Sequence, residues 1–262
     1  MSDKIRKPAV AGMFYPKDPK ELSRDLEHYL AQAPTNKILP KAIIVPHAGY
    51  VYSGAVAAVA YQLVKNNKNK ITRVILLGPS HRVAFPGLAL STADYYETPF
   101  GNVSIDKELA ESLTSMAQIT YNDAAHAAEH SLEVHVPFLQ HTLNNFTLLP
   151  LVVGDARADE VSDVLLKVWG GEETLIVIST DLSHFEDYET AQAQDKKTCS
   201  HIEQMNPECL EYHDACGRIP VSGILVAAKT KGLKIATLDL RNSGDTAGSK
   251  DRVVGYGSWA FY

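Results

Sequence analysis

Short apolar runs alternate with amphipathic stretches along most of the chain. Ala42-Ile43-Ile44-Val45-Pro46, Val74-Ile75-Leu76-Leu77, residues 147–153 and Leu175-Ile176-Val177-Ile178-Ser179 are apolar at nearly consecutive positions. That pattern predicts parallel strands buried on both faces. The stretches between them predict helices. Asp18 caps the first, with Pro19 at the first helical position and Glu21 completing a box-like pattern, and it runs to about Ala33. Ser53 opens an alanine-rich helix through Ala60, whose small side chains let it lie close to a sheet. Asp106 caps a short helix, and residues 129–143 are helical with a kink or break expected at Pro137. Helices are expected near 157–169, 188–205, 207–215 and 221–231, with Pro207 starting the third and Gly170 and Gly232 as left-handed stops. Strands near 233–240 and 252–262 complete the pattern. The last is edge-like, alternating through Val254, Tyr256, Ser258 and Ala260. A β-rich stretch containing Pro86, Pro99 and Gly101 interrupts the alternation, and loop 241–251 fits either a mobile element or a plain surface loop. The expected fold class is α/β, a single domain over residues 1–262 with a mostly parallel, doubly wound sheet flanked by helices.

Composition narrows the function classes. The 262 residues are 45% hydrophobic and 21% charged, as in ordinary globular proteins. A net charge of −6 argues against a nucleic-acid partner, which selects a basic face. No apolar run is long enough to span a membrane, and Met1 to Pro8 lacks the apolar core of a signal peptide. Cys199, Cys209 and Cys216 are too few for a disulfide framework, so a cytoplasmic, reducing location is expected.

The chemistry lies at strand ends. His47, His81 and His184 each follow an apolar run, at the sheet edge where α/β folds bind ligands. Three imidazoles there point to a metal or acid–base site. Asp181 precedes His184 by three residues, a spacing that suits either an orienting carboxylate that raises the histidine pKa or a helix cap. Glu129-His130-Ser131-Leu132-Glu133-Val134-His135 fits no helical zinc motif. Its histidines stand ~140° apart on a regular helix, so one reaches a site and the other supports it. Cys216 sits at a turn before a new helix with Arg218 nearby, a setting that favours thiolate and soft-metal ligation. Gly78-Pro79-Ser80-His81-Arg82 is a degenerate nucleophile elbow, and no nucleotide-binding glycine motif is present.

Ala11-Gly12-Met13-Phe14-Tyr15-Pro16, Pro46-His47-Ala48-Gly49-Tyr50, Gly78-Pro79-Ser80-His81, the segment 129–135, Ser179-Thr180-Asp181-Leu182-Ser183-His184 and Cys216-Gly217-Arg218 resemble, in order, the Memo-like family, also called AmmeMemoRadiSam system protein B. The resemblance implies a fold related to class III extradiol dioxygenases, which hold iron(II) with two histidines and a glutamate. It makes His47 and His81 the histidine metal ligands, with Cys216 where the dioxygenases have glutamate. It makes His184 the acid–base residue supported by Asp181, and His130 a second catalytic histidine with His135 its rival. Phe14, Tyr50 and His135 fall at the pocket, Phe14 where the animal protein has tryptophan. Replacing a carboxylate by a thiolate softens the site toward iron(II) or copper(I), with zinc still compatible.

The leading expectation is therefore a metal-dependent, dioxygenase-like oxidoreductase of unknown small-molecule substrate. The alternatives are a non-catalytic adaptor holding metal or a peptide in the same pocket, and a hydrolase using zinc or Ser80. The family name also implies radical S-adenosylmethionine and AMMECR-type proteins as partners.

Overall fold

A computed structural model describes residues 3–35 and 37–262. The elements, in chain order, are β1 (Ile5–Arg6), α1 (Pro19–Gln32), β2 (Ala42–Val45), α2 (Tyr50–Lys65), β3 (Arg73–Pro79), β4 (Leu88–Leu90), β5 (Tyr95–Thr98), β6 (Gly101–Ser104), α3 (Lys107–Leu113), β7 (Ile119–Tyr121), α4 (Asp123–Ala127), α5 (His130–Glu133), α6 (His135–Thr142), β8 (Thr147–Val153), α7 (Ala158–Lys167), β9 (Thr174–Ser179), β10 (His184–Glu186), α8 (Tyr188–Glu203), α9 (Arg218–Lys231), β11 (Ile235–Asn242) and β12 (Val253–Phe261). Among the described residues, no helix is long and apolar enough to cross a membrane.

A large mixed sheet runs β10-β12-β2-β9-β3-β8-β4-β7, with β11 also paired to β12. Its centre, β2-β9-β3-β8, is parallel, while β12 joins β2 and β4 joins β8 antiparallel. Alternate side chains feed two cores. Ile43 and Val45 face the layer holding Leu22, Ala57 and Phe138, and Ala42 and Ile44 face the layer holding Val164, Cys199 and Ile224. Helices α1, α2 and α6 thus cover one face and α7, α8 and α9 the other. A small sheet of β1, β5 and β6 lies apart.

Local chemistry sets the element ends. The Asp18 carboxylate accepts the Lys20 and Glu21 amides, and Asp106 accepts that of Leu109. Gly170 and Gly232 are left-handed. Four expectations are corrected. Helix α2 begins at Tyr50, and Ser53 lies within it, donating its hydroxyl to the Ala48 carbonyl. The break in 129–143 falls at Val134. Pro137 sits in the first turn of α6, where a missing N–H costs nothing. Residues 207–215 form only a single 3-10 turn, Pro207–Cys209. Strand β12 is central and buried, because Trp259 pairs with Ile44 on one side while β11 and β10 cover the other.

Candidate metal centre

The parallel strands deliver their ends to one place. His47 follows β2, His81 follows β3, and Ser179 closes β9, with Asp181 and His184 just beyond. Cys216 arrives from the turn before α9. That turn presses against β9 because residue 217 is glycine, and a Cβ there would stand 2.4 Å from the Ser179 carbonyl oxygen. Gly78 does the same on β3, where a Cβ would meet the Ser131 hydroxyl at 2.7 Å, so α5 packs directly over the strand end.

Each of His47, His81 and Cys216 offers a ligand atom within 4.8 Å of the other two. His47 Nε2 is 3.3 Å from Cys216 Sγ. The network around His47 dictates its tautomer. The Ser179 hydroxyl donates to the Ser131 carbonyl at 2.6 Å, so its oxygen accepts the ring N–H groups of His47 Nδ1 (2.5 Å) and His135 Nε2 (2.9 Å). His47 Nε2 is left with its lone pair aimed at the cluster. His81 is fixed in the same way, by a buried carboxylate. Its Nδ1 donates to Glu129 Oε1 at 2.8 Å and its backbone N–H to Oε2 at 2.6 Å. A carboxylate or hydroxyl behind each imidazole is the arrangement that orients metal-ligating histidines.

Glu129 and His130 are themselves anchored. Arg6 of β1 donates to the His126 carbonyl at 3.0 Å and the Glu129 carbonyl at 2.6 Å, and pairs with Glu133. The Glu133 carboxylate also accepts the Ala9 and Val10 amides and the Tyr15 hydroxyl. The break at Val134 turns the two histidines of this segment different ways. His130 stacks on His81, with centroids 4.7 Å apart, and lies 5.5 Å from His47. His135 is buried behind Ser179. His130 is therefore the histidine at the cluster and His135 its support. Phe14 packs on His130 at 4.8 Å. Tyr50 and His135 are both buried, and neither they nor Phe14 lines the cleft beside His81 and Cys216; the Tyr50 hydroxyl donates to the Val134 carbonyl at 2.6 Å.

The structure also corrects the pairing expected for Asp181. Among the described residues, no hydrogen bond or ion pair joins it to His184. Oδ1 accepts the His47 backbone N–H at 2.8 Å, and the Asp181 N–H points at Cys216 Sγ at 3.3 Å. Asp181 thus contacts two of the three cluster residues, His47 through its carboxyl and Cys216 through its backbone, and burial pushes the carboxyl pKa up to about 7 against the His47 and Ala48 amides. His184 stands at the rim of the adjoining cleft. Desolvation, with His81 adding to it, lowers its pKa, opposed by a backbone hydrogen bond at Leu182.

Burial lowers the pKa of His47, His130 and His135 as well. His47 lies well below its usual range, with the neighbouring histidines adding to the effect. Burial lowers His130 to about 4, against Glu129, and His135 to about 3. Neutral imidazoles are what a metal requires. The expected bias of Cys216 toward thiolate is reversed. Burial and the Asp181 carboxylate push the thiol up to about 12, outweighing the nearby backbone N–H groups. Ser80 is spent on its own turn, donating to the Val83 carbonyl at 2.6 Å.

The residues that sequence reasoning missed are Glu129, Ser179 and Arg6. Glu129 and Ser179 stand in segments already marked as informative, but nothing in spacing reveals which histidine each one holds.

Residues 6–260 match the family described as Memo-like protein. A MEMO1 family protein of Aquifex aeolicus is 39% identical, covering 97% of each chain. One from Thermoplasma volcanium is 34% identical, again over 97% of each. An uncharacterized protein from Escherichia coli K12, known as a crystal structure, superposes with a TM-score of 0.53 at 12% identity. The match covers 84% of this chain and 99% of that one, a likeness of fold.

Proposed function

Since the chain belongs to the Memo-like family, we propose that His47, His81 and Cys216 hold one redox-active metal ion, iron(II) or copper(I), and that the protein is a dioxygenase-like oxidoreductase acting on a small molecule beside it. The observation that carries this reading is the convergence of two imidazoles and one thiol within 4.8 Å. The donor set fits a metal. Bonds of about 2.0 Å to nitrogen and 2.3 Å to sulfur at a tetrahedral angle put the two ligand atoms about 3.5 Å apart, and His47 Nε2 and Cys216 Sγ are 3.3 Å apart. Two imidazoles with a sulfur suit copper(I) and remain compatible with iron(II).

When bound, such an ion supplies one-electron chemistry and a place for a substrate or oxygen ligand. The chain does the rest. Ser179 and Glu129 hold the ligand imidazoles in the required tautomers. Asp181 fixes the His47 backbone, and its N–H faces the Cys216 sulfur, so a negative sulfur there gains a donor. Loading the ion displaces the thiol proton, and affinity should rise with pH. His130, neutral and stacked on His81, is placed to accept or return a proton at the cluster. His184 does the same from the cleft rim.

Anaerobic titration with iron(II), copper(I) and zinc, followed by electron paramagnetic resonance through one oxidation and reduction cycle, tests the redox claim. The reading expects one ion per chain and a reversible signal. Tight zinc binding without uptake of either redox metal would end it in favour of a hydrolytic or structural role.

A further inference from the structure

We propose that the cleft beside the cluster binds a small organic carboxylate, with Arg218 holding its anionic group and the rings of Phe185 and Tyr212 its apolar body. This rests on the reading of cluster and cleft as one site. The cleft has a volume of roughly 500 Å³, the size of small-molecule sites, and His81 and Cys216 form part of its wall. Anything seated there abuts the cluster.

Four arginines are shielded from solvent wholly or in part: Arg6, Arg73, Arg218 and Arg241. Three meet carboxylates, Arg6 with Glu133, Arg73 with Asp106 and Arg241 with Asp239. Among the described residues, Arg218 has no carboxylate within ion-pair distance and no side-chain hydrogen bond. A half-buried guanidinium without a partner, lining a cleft, is a place for an anion, and its planar fork matches a carboxylate. One guanidinium balances one negative charge. The other full charge on the wall is that of Glu186, which disfavours a phosphate dianion.

Strand β10 supplies an apolar part of the cleft wall. Phe185 has φ of +64°, a left-handed conformation that a bulky side chain rarely adopts, at an irregularity in the β10–β12 pairing. Bulges of this kind re-aim a side chain. Phe185 is 62% exposed, and Tyr212 on the same cleft is 77% exposed. The Arg252 guanidinium lies over the Phe185 ring, 5.1 Å from its centroid, and two large exposed rings on the wall that also carries Arg218 give a flat apolar body its contact area.

Ligand-observed fluorine NMR with 4-fluorophenylacetate and its uncharged amide tests this, on metal-free and metal-loaded protein. The acid should bind at least about tenfold tighter than the amide, the loss expected for one charge-assisted hydrogen bond. Arg218→Gln should abolish that preference, and Arg218→Lys should restore part of it. Phe185→Gly should weaken both probes alike. His47→Ala should keep the preference, so failure of the metal reading leaves this result interpretable. Equal binding of acid and amide by the wild-type protein, undetectable binding of the acid at millimolar concentration, or an undiminished preference in Arg218→Gln would overturn the proposal. Stronger binding of phenylphosphonate than of the acid would overturn the carboxylate assignment.

Discussion

Glu129 grips His81 twice, through Nδ1 at 2.8 Å and through the backbone N–H at 2.6 Å, and its Oε1 lies 3.5 Å from His130 Nδ1. One buried carboxylate therefore sets the orientation of two histidines. Contact with His81 and the Ser131 amide outweighs burial and holds it ionised, at about 2.

Glu129→Gln keeps the shape and removes the charge. An amide oxygen can still accept the His81 N–H, but it polarises the ring less. Loss of an orienting partner of this kind costs about 10–100-fold in metal affinity. Competition titration against a chelator should find a loss in that range, with circular dichroism unchanged. Unaltered affinity would remove Glu129 from the account.

Ser179→Ala tests the other imidazole. The hydroxyl serves His47, His135 and the Ser131 carbonyl at once. Its removal strands buried donors and an acceptor, a cost of about 1–3 kcal/mol. Urea denaturation of the metal-free protein should register that loss, and Ser179→Thr should recover part of it where the added methyl fits. No change in the midpoint would mean that the network is not the determinant of the His47 tautomer.

A pH effect should arise away from the cluster. His126 Nδ1 accepts the Tyr96 hydroxyl at 2.6 Å, and Nε2 donates to the Ala89 carbonyl at 2.9 Å, so the ring is built neutral. Burial lowers its pKa from 6.5 to about 4. Below 6.5 the unfolded chain takes up a proton that the folded chain refuses. This contribution is present in full above about 6.5 and is lost as the pH falls toward 4, by about 3 kcal/mol in all. His126→Gln should flatten stability across that window. A slope identical to that of the wild-type protein would contradict the assignment.

The sequence and the structure meet most closely where one pattern has one physical cause. Consecutive apolar residues at 74–77 and 175–178 read as strands buried on both faces and form them, and Asp18 and Asp106 cap helices through their own side chains. The convergence of His47, His81 and Cys216 was legible through resemblance, because spacing alone brings no third residue to two strand ends. Other features depend on packing that no local pattern records. The alternation in β12 reads as an edge, but small residues there make room for neighbours. A Cβ at Gly255 would collide with the Asp195 carboxylate, and one at Gly257 with the Trp259 ring. His130 and His135 exchange roles according to where the helix breaks. Val134 rather than Pro137 is the break, because the first turn of α6 tolerates proline.

Metal stoichiometry by elemental analysis, on wild-type protein and on His47→Ala, His81→Ala and Cys216→Ser variants reconstituted anaerobically with iron(II) or copper(I), tests the central claim most directly. The account predicts close to one ion per wild-type chain and a substantial loss in each of the three variants, with the fold intact by circular dichroism. Full occupancy in all three would contradict it, as would a wild-type protein that takes up neither metal.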